Sequence, residues 1–467
     1  MARGFRRWSN GGSITEGVIW QQLLAFFFPI LLGTFFQQLY NTADAMIVGN
    51  FVGKEALAAV GGTTSVLINF LVGLFVGVAS GATVVIAQYF GGRQFEEVRR
   101  ATHTSMALAL AAGAGIMVVG LVFAAPALEA MGTPEDILGY AVVYLRIYFL
   151  GTIPSFLYNM GSGILRAMGD TKRPLYYLIA ACLVNIALDL VFVAALGWGV
   201  VGVAVATIAS QAVSAVLVLL ALCRGDTLYE LRLKELRFTP HILKNIIKIG
   251  LPAGIQSDMY SISNILIQAS VNSFGTNTVA AWTAQGKVDG FFWMVLGAFG
   301  MSITTFVGQN FGAQQYQRMR KSIWVSMAMA AGTTVAISLL FYIFASPLIG
   351  LFSADAAVLE SGVDIMRYLA PWYITFVCIE IFSGAIRGTG DSLIPMILTC
   401  GGVCLFRVAW IYLVLPSHHD FHTLILSYPV SWVITSILFG AYYFHGGWLR
   451  RRIAVMGFQP EKRPAKS

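Results

Sequence analysis

The chain has 467 residues, of which 57% are hydrophobic and only 11% are charged. Charged residues make up about a quarter of an ordinary soluble domain, so this composition excludes that class and indicates a polytopic membrane protein. The formal net charge of +8 suits a nucleic-acid-binding protein only if the basic residues form one surface, and here they are spread along the chain.

Twelve apolar segments are long enough to span a bilayer as helices. In chain order they are predicted near residues 20–48, 56–90, 101–125, 137–165, 174–197, 200–223, 244–272, 278–308, 322–345, 357–385, 393–415 and 423–446. The predicted fold class is therefore an all-α polytopic membrane protein with twelve transmembrane helices. The predicted division is an N-terminal segment 1–19, an N lobe 20–223, a linker 224–243, a C lobe 244–446 and a basic tail 447–467.

Most of the 30 Lys and Arg residues fall in the two tails and in alternate connections, while the other connections carry almost only Lys54. Cytoplasmic connections are enriched in Lys and Arg, so both termini are predicted to be cytoplasmic. The positive charge thus reports topology, and no nucleic-acid partner is expected. No cleavable signal peptide is predicted, and the five cysteines receive no redox or metal role.

A shift of 221 residues, which carries Gln88 onto Gln309, aligns the two halves over a long region without a gap. Other matched pairs are Phe90 and Phe311, Arg99 and Arg320, Pro126 and Pro347, Gly163 and Gly384, and Arg166 and Arg387. Six spans per half return the chain to its starting side, so the repeats are parallel. Two such bundles around a central cleft are typical of a carrier that works by alternating access.

The connection from Arg166 to Pro174 repeats after the same shift. Glycine at Gly169 is expected to make the turn, Asp170 to cap the next helix and Pro174 to stand in its first turn. We prefer this structural interpretation to a direct role in substrate binding.

Acids inside the spans of the first half need a functional explanation, because a carboxylate in hydrocarbon is costly unless it faces a partner or a cation. Asp44, Asp189 and Thr207 are predicted to share one layer near the outer ends of their helices. Tyr40 and Asn185 each precede an acid by one helical turn on the same face. Two close carboxylates in a dry pocket resist double ionisation, so we predict a site for a proton or a monovalent cation. The alternative is a permanently protonated structural pair.

The second half combines acids and bases with aromatic and sulfur-containing side chains, which are suited to hold a flat lipophilic cation. We expect Lys287 and Arg407 to neutralise most of its acids. The alternative is that many of these side chains face lipid or a neighbouring helix. The candidates for a substrate cavity are Asp258, Met259, Tyr260, Trp282, Lys287, Asp289, Phe292, Trp293, Glu380 and Arg407. The His-rich connection 418–422 is predicted to be a solvated loop, not a metal site.

This pattern resembles the multidrug and toxic compound extrusion family of cation-coupled antiporters over nearly the whole chain. The resemblance rests on the twelve-span repeat, the connections 88–100 and 309–321 and the Arg166 and Arg387 motifs. The chain is similar to the branch of DNA-damage-inducible and staphylococcal-type pumps. The resemblance implies that Pro29 bends the first helix and that the ion-coupling residues are Tyr40, Asp44, Asn185, Asp189 and Thr207. The sodium site of another branch is not carried over, because Asp258 and Glu380 differ from it in spacing.

The predicted function is efflux of lipophilic, mostly cationic compounds in exchange for H⁺ or Na⁺ across a bacterial inner membrane. The alternative is a flippase of the same superfamily for a lipid-linked saccharide or cell-wall precursor. No enzyme activity is predicted, because the spans offer no nucleophile with a base and no metal cluster. We expect no cofactor beyond the coupling ion and no obligate protein partner, only small-molecule substrates and the lipid bilayer.

Overall fold

The computed structural model of the chain describes residues 14–224, 230–353 and 355–459. The basic N-terminal residues 1–13, residues 225–229 of the predicted linker and residues 460–467 of the predicted tail lie outside the described residues. Every regular element in the described ranges is helical. In chain order the helices are α1 (Ile19–Phe51), α2 (Lys54–Gly61), α3 (Thr63–Gly91), α4 (Phe95–Ala130), α5 (Glu135–Leu150), α6 (Thr152–Ala167), α7 (Lys172–Asp189), α8 (Gly199–Cys223), α9 (Pro240–Asn272), α10 (Thr276–Gly312), α11 (Tyr316–Ile343), α12 (Ala345–Gly350), α13 (Ala356–Leu369), α14 (Tyr373–Gly388), α15 (Leu393–Thr399), α16 (Phe406–Leu413), α17 (Phe421–His445) and α18 (Trp448–Val455).

Ten helices within the described ranges are long and apolar enough to cross a membrane, and the pair α5 and α6, bent by 50° at a break, makes an eleventh. The 33-residue helix α9 occupies the place of the remaining predicted span, and Lys244 and Lys248 make its first half more polar. The predicted all-α fold class is confirmed, and the chain is a multi-pass membrane protein. The predicted span 56–90 is interrupted at Gly62, between α2 and α3.

The chain divides into two compact units. One unit is Phe28–Gly254, and the other is Ile14–Phe27 together with the chain from Ile255 onward. The helices α1 and α9 therefore each begin in one unit and continue in the other. A proline stands inside each helix close to the change of unit, Pro29 in α1 and Pro252 in α9. Because proline removes one backbone hydrogen bond from a helix, each of these helices bends most easily near its proline. The predicted domain boundaries stay a prediction.

The two halves share the backbone geometry of the connection after their second long helix. Arg93 and Gln314, which the 221-residue shift superimposes, are the non-glycine residues with positive φ in the described ranges, each at 56°. The next amides, those of Gln94 and Gln315, each close the preceding helix with a backbone hydrogen bond, of 2.9 and 2.8 Å. The predicted repeat is confirmed here at the level of single peptide groups.

Gly163 and Gly384 allow a close helix crossing in each half. A Cβ added at Gly163 would lie 2.6 Å from Thr83 Oγ1, and one at Gly384 would lie 3.0 Å from Thr304 Oγ1. Both hydroxyls donate to a backbone carbonyl one turn earlier, at 3.0 and 2.7 Å. The crossing of α3 with α6 is thus repeated by that of α10 with α14, which explains why both positions carry glycine.

The connection that follows these crossings has the predicted turn chemistry. Gly169 and its repeat partner Gly390 have φ of 98° and 89°, a region that favours glycine. Asp170 accepts two backbone amides at the start of α7, at 3.2 and 3.1 Å, and Asp391 accepts one at the start of α15, at 3.5 Å. The structural interpretation of this motif as a turn with a helix cap is confirmed.

Candidate functional site

The polar residues predicted for the first half converge within one unit. Asp44 lies on α1, Asn185 and Asp189 lie on α7, and Thr207 lies on α8. Asn185 and Asp189 are fully buried, while Asp44 and Thr207 are 7% and 2% exposed. The half-buried Tyr40 stands one turn before Asp44. Helices α7 and α8 pack directly on each other, and Asp44 of α1, distant in sequence, lies close to Asp189 and Thr207. We call these five residues the carboxylate pocket.

Few of the polar atoms of this pocket are satisfied by protein hydrogen bonds. The hydroxyl of Thr207 lies 3.4 Å from Asp44 Oδ2 and 2.9 Å from the carbonyl of Val203, and its single proton serves one of them at a time. Asp44 Oδ1, both oxygens of Asp189 and the amide of Asn185 have no hydrogen-bond partner among the described residues. The Tyr40 hydroxyl has none either, so it does not donate to Asp44 one turn later.

The two carboxyl groups of the pocket act directly on each other. Asp189 lies close enough to Asp44 for the pair to share a hydrogen bond when one of them is protonated, and Asn185 also borders Asp44. No Lys or Arg in the described ranges pairs with either acid, and Arg146 of α5 is exposed. Two neighbouring carboxyl groups in a buried site cannot both ionise at low free-energy cost, because their negative charges repel. The geometry therefore suits one proton or one monovalent cation.

Two tyrosines of α5 extend the pocket and were missed at the sequence level. Tyr144 borders Asp44 and Asp189, and Tyr148 borders Tyr40. Tyr148 also approaches Gln211 of α8, a further polar side chain that the pattern did not single out. The sequence did contain a signal for these tyrosines, because Tyr144 and Tyr148 are four residues apart and therefore share one face of the helix. The two tyrosines thus form a polar stripe on α5.

A wide helical turn stands next to a charged residue in each half. The π-helical turn Leu190–Ala195 begins directly after Asp189, and the π-helical turn Cys400–Leu405 ends two residues before Arg407. Such turns are rare and occur often at functional sites, because they redirect the side chains that follow or precede them. The 221-residue shift does not superimpose them, so each half has its own irregularity.

The second unit contains a cavity of about 500 Å³, which we call the aromatic cavity. This volume is within the range of small-molecule sites, roughly 300–1,000 Å³. Helices α9 and α10 each contribute side chains that recur every three or four residues along one face. The lining residues are Tyr260, Asn264, Gln268, Trp282, Gln285, Gly286, Asp289, Trp293, Leu369, Phe376, Glu380, Arg407, Tyr428 and Trp432.

Six of the ten predicted cavity residues line the aromatic cavity, namely Tyr260, Trp282, Asp289, Trp293, Glu380 and Arg407. The other four, Asp258, Met259, Lys287 and Phe292, are not among the residues that line this cavity. Phe292 is fully buried and stacks on Tyr373 with ring centroids 4.4 Å apart, and Lys287 is exposed. A helix presents only part of its circumference to one cavity, so neighbours in sequence point away from it.

Protein donors hold the Asp289 carboxylate in place. The Tyr373 hydroxyl donates a hydrogen bond to Asp289 Oδ1, and Trp293 Nε1 donates to Oδ2 at 3.2 Å. Gln285 Nε2 lies 3.4 Å from the same Tyr373 hydroxyl. Tyr373 is fully buried on α14, and its role was missed because no acid stands near it in sequence.

The expected neutralisation of acids by Lys287 and Arg407 is wrong. Lys287 forms no ion pair in the described part of the chain. Arg407 Nε donates to Ser431 Oγ at 3.0 Å, and no carboxylate among the described residues borders its guanidinium. The basic neighbour of Glu380 is instead Arg387, two turns later on α14.

In the His-rich connection 418–422, residues 418–420 and His422 are exposed, whereas Phe421 is half-buried and begins α17. Asp420 Oδ2 caps α17 by accepting the Thr423 amide at 3.3 Å, and His419 stacks on Phe274 with ring centroids 4.7 Å apart. Within the described ranges no group of three or more His, Cys, Asp or Glu side chains is placed to hold a metal ion.

Comparison with known proteins matches both halves of the chain. The MatE family model aligns with residues 29–191 and again with 252–413, once on each repeat. The chain is 26% identical over 437 residues to "Probable multidrug resistance protein YoeA" of Bacillus subtilis, covering 91% of this chain and 93% of that protein. It is also 26% identical over 344 residues to the "FAD transporter" of Shewanella oneidensis, covering 72% of this chain and 75% of that one.

Solved structures share the fold over nearly the full length. An outward-facing multidrug resistance MATE family transporter of the MOP superfamily superimposes with a TM-score of 0.86 at 24% identity, covering 95% of this chain and 98% of that one. A MOP superfamily transporter from Pyrococcus furiosus gives a TM-score of 0.86 at 23% identity, covering 96% and 98%. These likenesses support the fold alone. The family match spans well over half of the chain, and the chain therefore belongs to the MatE family of membrane transporters.

Proposed function

We propose that this protein is a secondary active efflux antiporter that exports lipophilic small molecules in exchange for H⁺ or Na⁺. The observation that carries the proposal is the pair of buried carboxyl groups, Asp44 and Asp189, which face each other without a basic partner in the described ranges. A pair of this kind gains a proton or a cation at low cost and releases it when the pocket opens to water. Coupling to an ion gradient needs such a reversible site.

Antiport requires that ion binding and substrate binding weaken each other. Loading an ion between Asp44 and Asp189 removes the repulsion between them and lets α1 and α7 approach. Pro29, close to the change of unit in α1, is the point at which this helix bends most easily. We propose that an ion bound from the outer side bends α1 and thereby lowers the affinity for the exported compound. No cofactor takes part beyond the ion.

The exported compounds are proposed from two observations. Relatives carry names of multidrug resistance proteins, and the aromatic cavity offers stacking surfaces within about 500 Å³. Aromatic walls bind flat apolar rings with little regard to their substituents, which suits a broad substrate range. We place the protein in a bacterial cytoplasmic membrane with both termini inside, because the basic residues concentrate in the tails and alternate connections.

The test is gradient-driven transport in proteoliposomes, with ethidium and naphthalene-2-sulfonate as substrates. Both carry a permanent charge, so neither crosses the bilayer freely. We expect a pH or Na⁺ gradient to drive at least one of them in the wild type. Asp44→Asn and Asp189→Asn should each abolish the dependence on the gradient.

Asp136→Asn is the matched control, since Asp136 is an exposed acid in the first turn of α5. It should transport as the wild type does. Gradient-dependent transport that survives in both pocket variants would remove the carboxylate pocket from the mechanism. Absence of transport in the wild type would refute the proposed function itself.

A further inference from the structure

Arg407 is a buried cation without a counter-ion in the aromatic cavity. Its side chain lines the cavity and is only 3% exposed. It forms no ion pair in the described ranges, and the groups that border it are Tyr428, Tyr260 and Cys404. Removing a guanidinium from water costs free energy unless an anion compensates it. No described residue provides that anion here.

The guanidinium is held in one orientation. Its Nε donates to Ser431 Oγ at 3.0 Å, and its carbon lies 3.9 Å from the centroid of the Tyr428 ring. Trp432 stands on the same helix at 5.7 Å. The two terminal nitrogens of Arg407 donate to no described residue. They present a flat, fixed fork of N–H groups, the geometry that recognises an oxyanion with two parallel hydrogen bonds.

Each acid of the cavity has a protein neighbour of its own. Asp289 accepts hydrogen bonds from Tyr373 and Trp293. The carboxylate of Glu380 lies against Gly300, where an added Cβ would overlap it, and its basic neighbour is Arg387. Among the described residues, Arg407 thus has neither a charged neighbour nor a hydrogen-bond acceptor for its terminal nitrogens.

We infer that the aromatic cavity binds an aromatic anion, with the anionic group on Arg407 and the ring among Trp282, Trp293 and Tyr428. This inference rests on the proposed efflux function and narrows its substrate class. It also reverses the sequence-based prediction of mostly cationic substrates, which rested on the acids, aromatic rings and sulfur-containing side chains of this half. A sulfonate or carboxylate supplies the missing counter-charge, and the rings around it supply stacking contacts.

The test is binding of two ligands with one ring system and opposite charge, naphthalene-2-sulfonate and 2-naphthylmethylammonium. Calorimetric titration of the protein in lipid nanodiscs, with empty nanodiscs as the blank, gives both affinities without any ion gradient. We expect the wild type to prefer the sulfonate. Arg407→Gln should weaken sulfonate binding by roughly tenfold or more, the effect of losing a charge-assisted hydrogen bond. Arg407→Lys keeps the charge but loses the forked pair of N–H groups, so its sulfonate affinity should lie between those of the wild type and Arg407→Gln.

Two further variants separate ligand binding from damage to the fold. Glu380→Gln removes a negative charge from the cavity without changing its shape, so sulfonate affinity should rise. Arg367→Gln, which alters an exposed arginine over the Tyr342 ring of the same unit, should leave both affinities unchanged. Preference of the wild type for the ammonium, or sulfonate affinities that do not respond to Arg407 and Glu380, would overturn the inference. Because binding needs no gradient, this outcome is independent of the antiport assay.

Discussion

A glycine-lined crossing in the first unit gives a quantitative prediction about stability. Gly77 and Gly81 of α3 face Gly254 and Gly250 of α9 in antiparallel order. Each pair is spaced by four residues, so the glycines form a groove along each helix that lets the two backbones touch. A Cβ at Gly77 would overlap the backbone of Gly254. We expect Gly77→Ala and Gly250→Ala to destabilise the protein.

The magnitude follows from the geometry at Gly250. An added Cβ would lie 2.6 Å from Val78 Cα, whereas ordinary contact begins at 3.4 Å. The helices must separate by about 0.8 Å, the difference between these two distances, because the clash is with backbone and no side chain can rotate away. Overpacking of this kind costs about 1–3 kcal/mol. The double variant should cost less than the two single variants together, because one separation relieves both clashes.

The assay is unfolding in mild detergent, followed by tryptophan fluorescence against denaturant. Gly115→Ala is the control, because Gly115 is an exposed helix residue of the same unit with no atom within 4 Å of an added Cβ. It should be neutral or stabilising by up to about 1 kcal/mol, the helix propensity difference. If Gly77→Ala and Gly250→Ala prove as stable as Gly115→Ala, the close approach of α3 and α9 is refuted.

Two further predictions concern single hydrogen-bonded groups. Asp170→Ala should lower the free energy of unfolding by about 1 kcal/mol through loss of the cap on α7, and Asp170→Asn should recover most of it, as measured by the same denaturant titration. Tyr373→Phe removes one of the two donors that hold Asp289 and should cost about 1.5–3 kcal/mol, as for other hydrogen bonds to a charged group. In the Asp289→Asn background Tyr373→Phe should cost clearly less, and an equal cost in both backgrounds would show that the hydroxyl acts through Gln285 and not through Asp289.

Much of the architecture could be predicted because it follows from local chemistry. Apolar length determines which segments span a bilayer, and the 221-residue shift pairs Arg93 with Gln314 and Gly163 with Gly384 before any coordinates are known. The carboxylate pocket was also accessible, since acids within apolar helices are rare and their depth can be counted along the helix. Asp44, Asn185, Asp189 and Thr207 needed only this reasoning and a family resemblance.

The contents of the aromatic cavity were harder to predict from the sequence. Nearly every helix face of a membrane protein is apolar, so hydrophobic periodicity does not distinguish a cavity wall from a lipid contact or a buried core position. Met259 and Phe292 stand next to true lining residues and point elsewhere. Tyr428 and Trp432 belong to the last long helix, far from the other lining residues in sequence, and only packing brings them to Arg407.

The sequence by itself determined the fold class, the internal repeat, the caps and turns of the connections and the pair of acids in the first half. The tertiary structure decided which ionisable groups meet. Counting charges predicted that Arg407 would neutralise an acid, but Asp289 is held by Tyr373 and Trp293, and Glu380 adjoins Arg387. The physical reason is that a sequence gives the number of charges in a helix bundle, whereas interaction energies depend on distances between side chains on different helices, which packing alone sets.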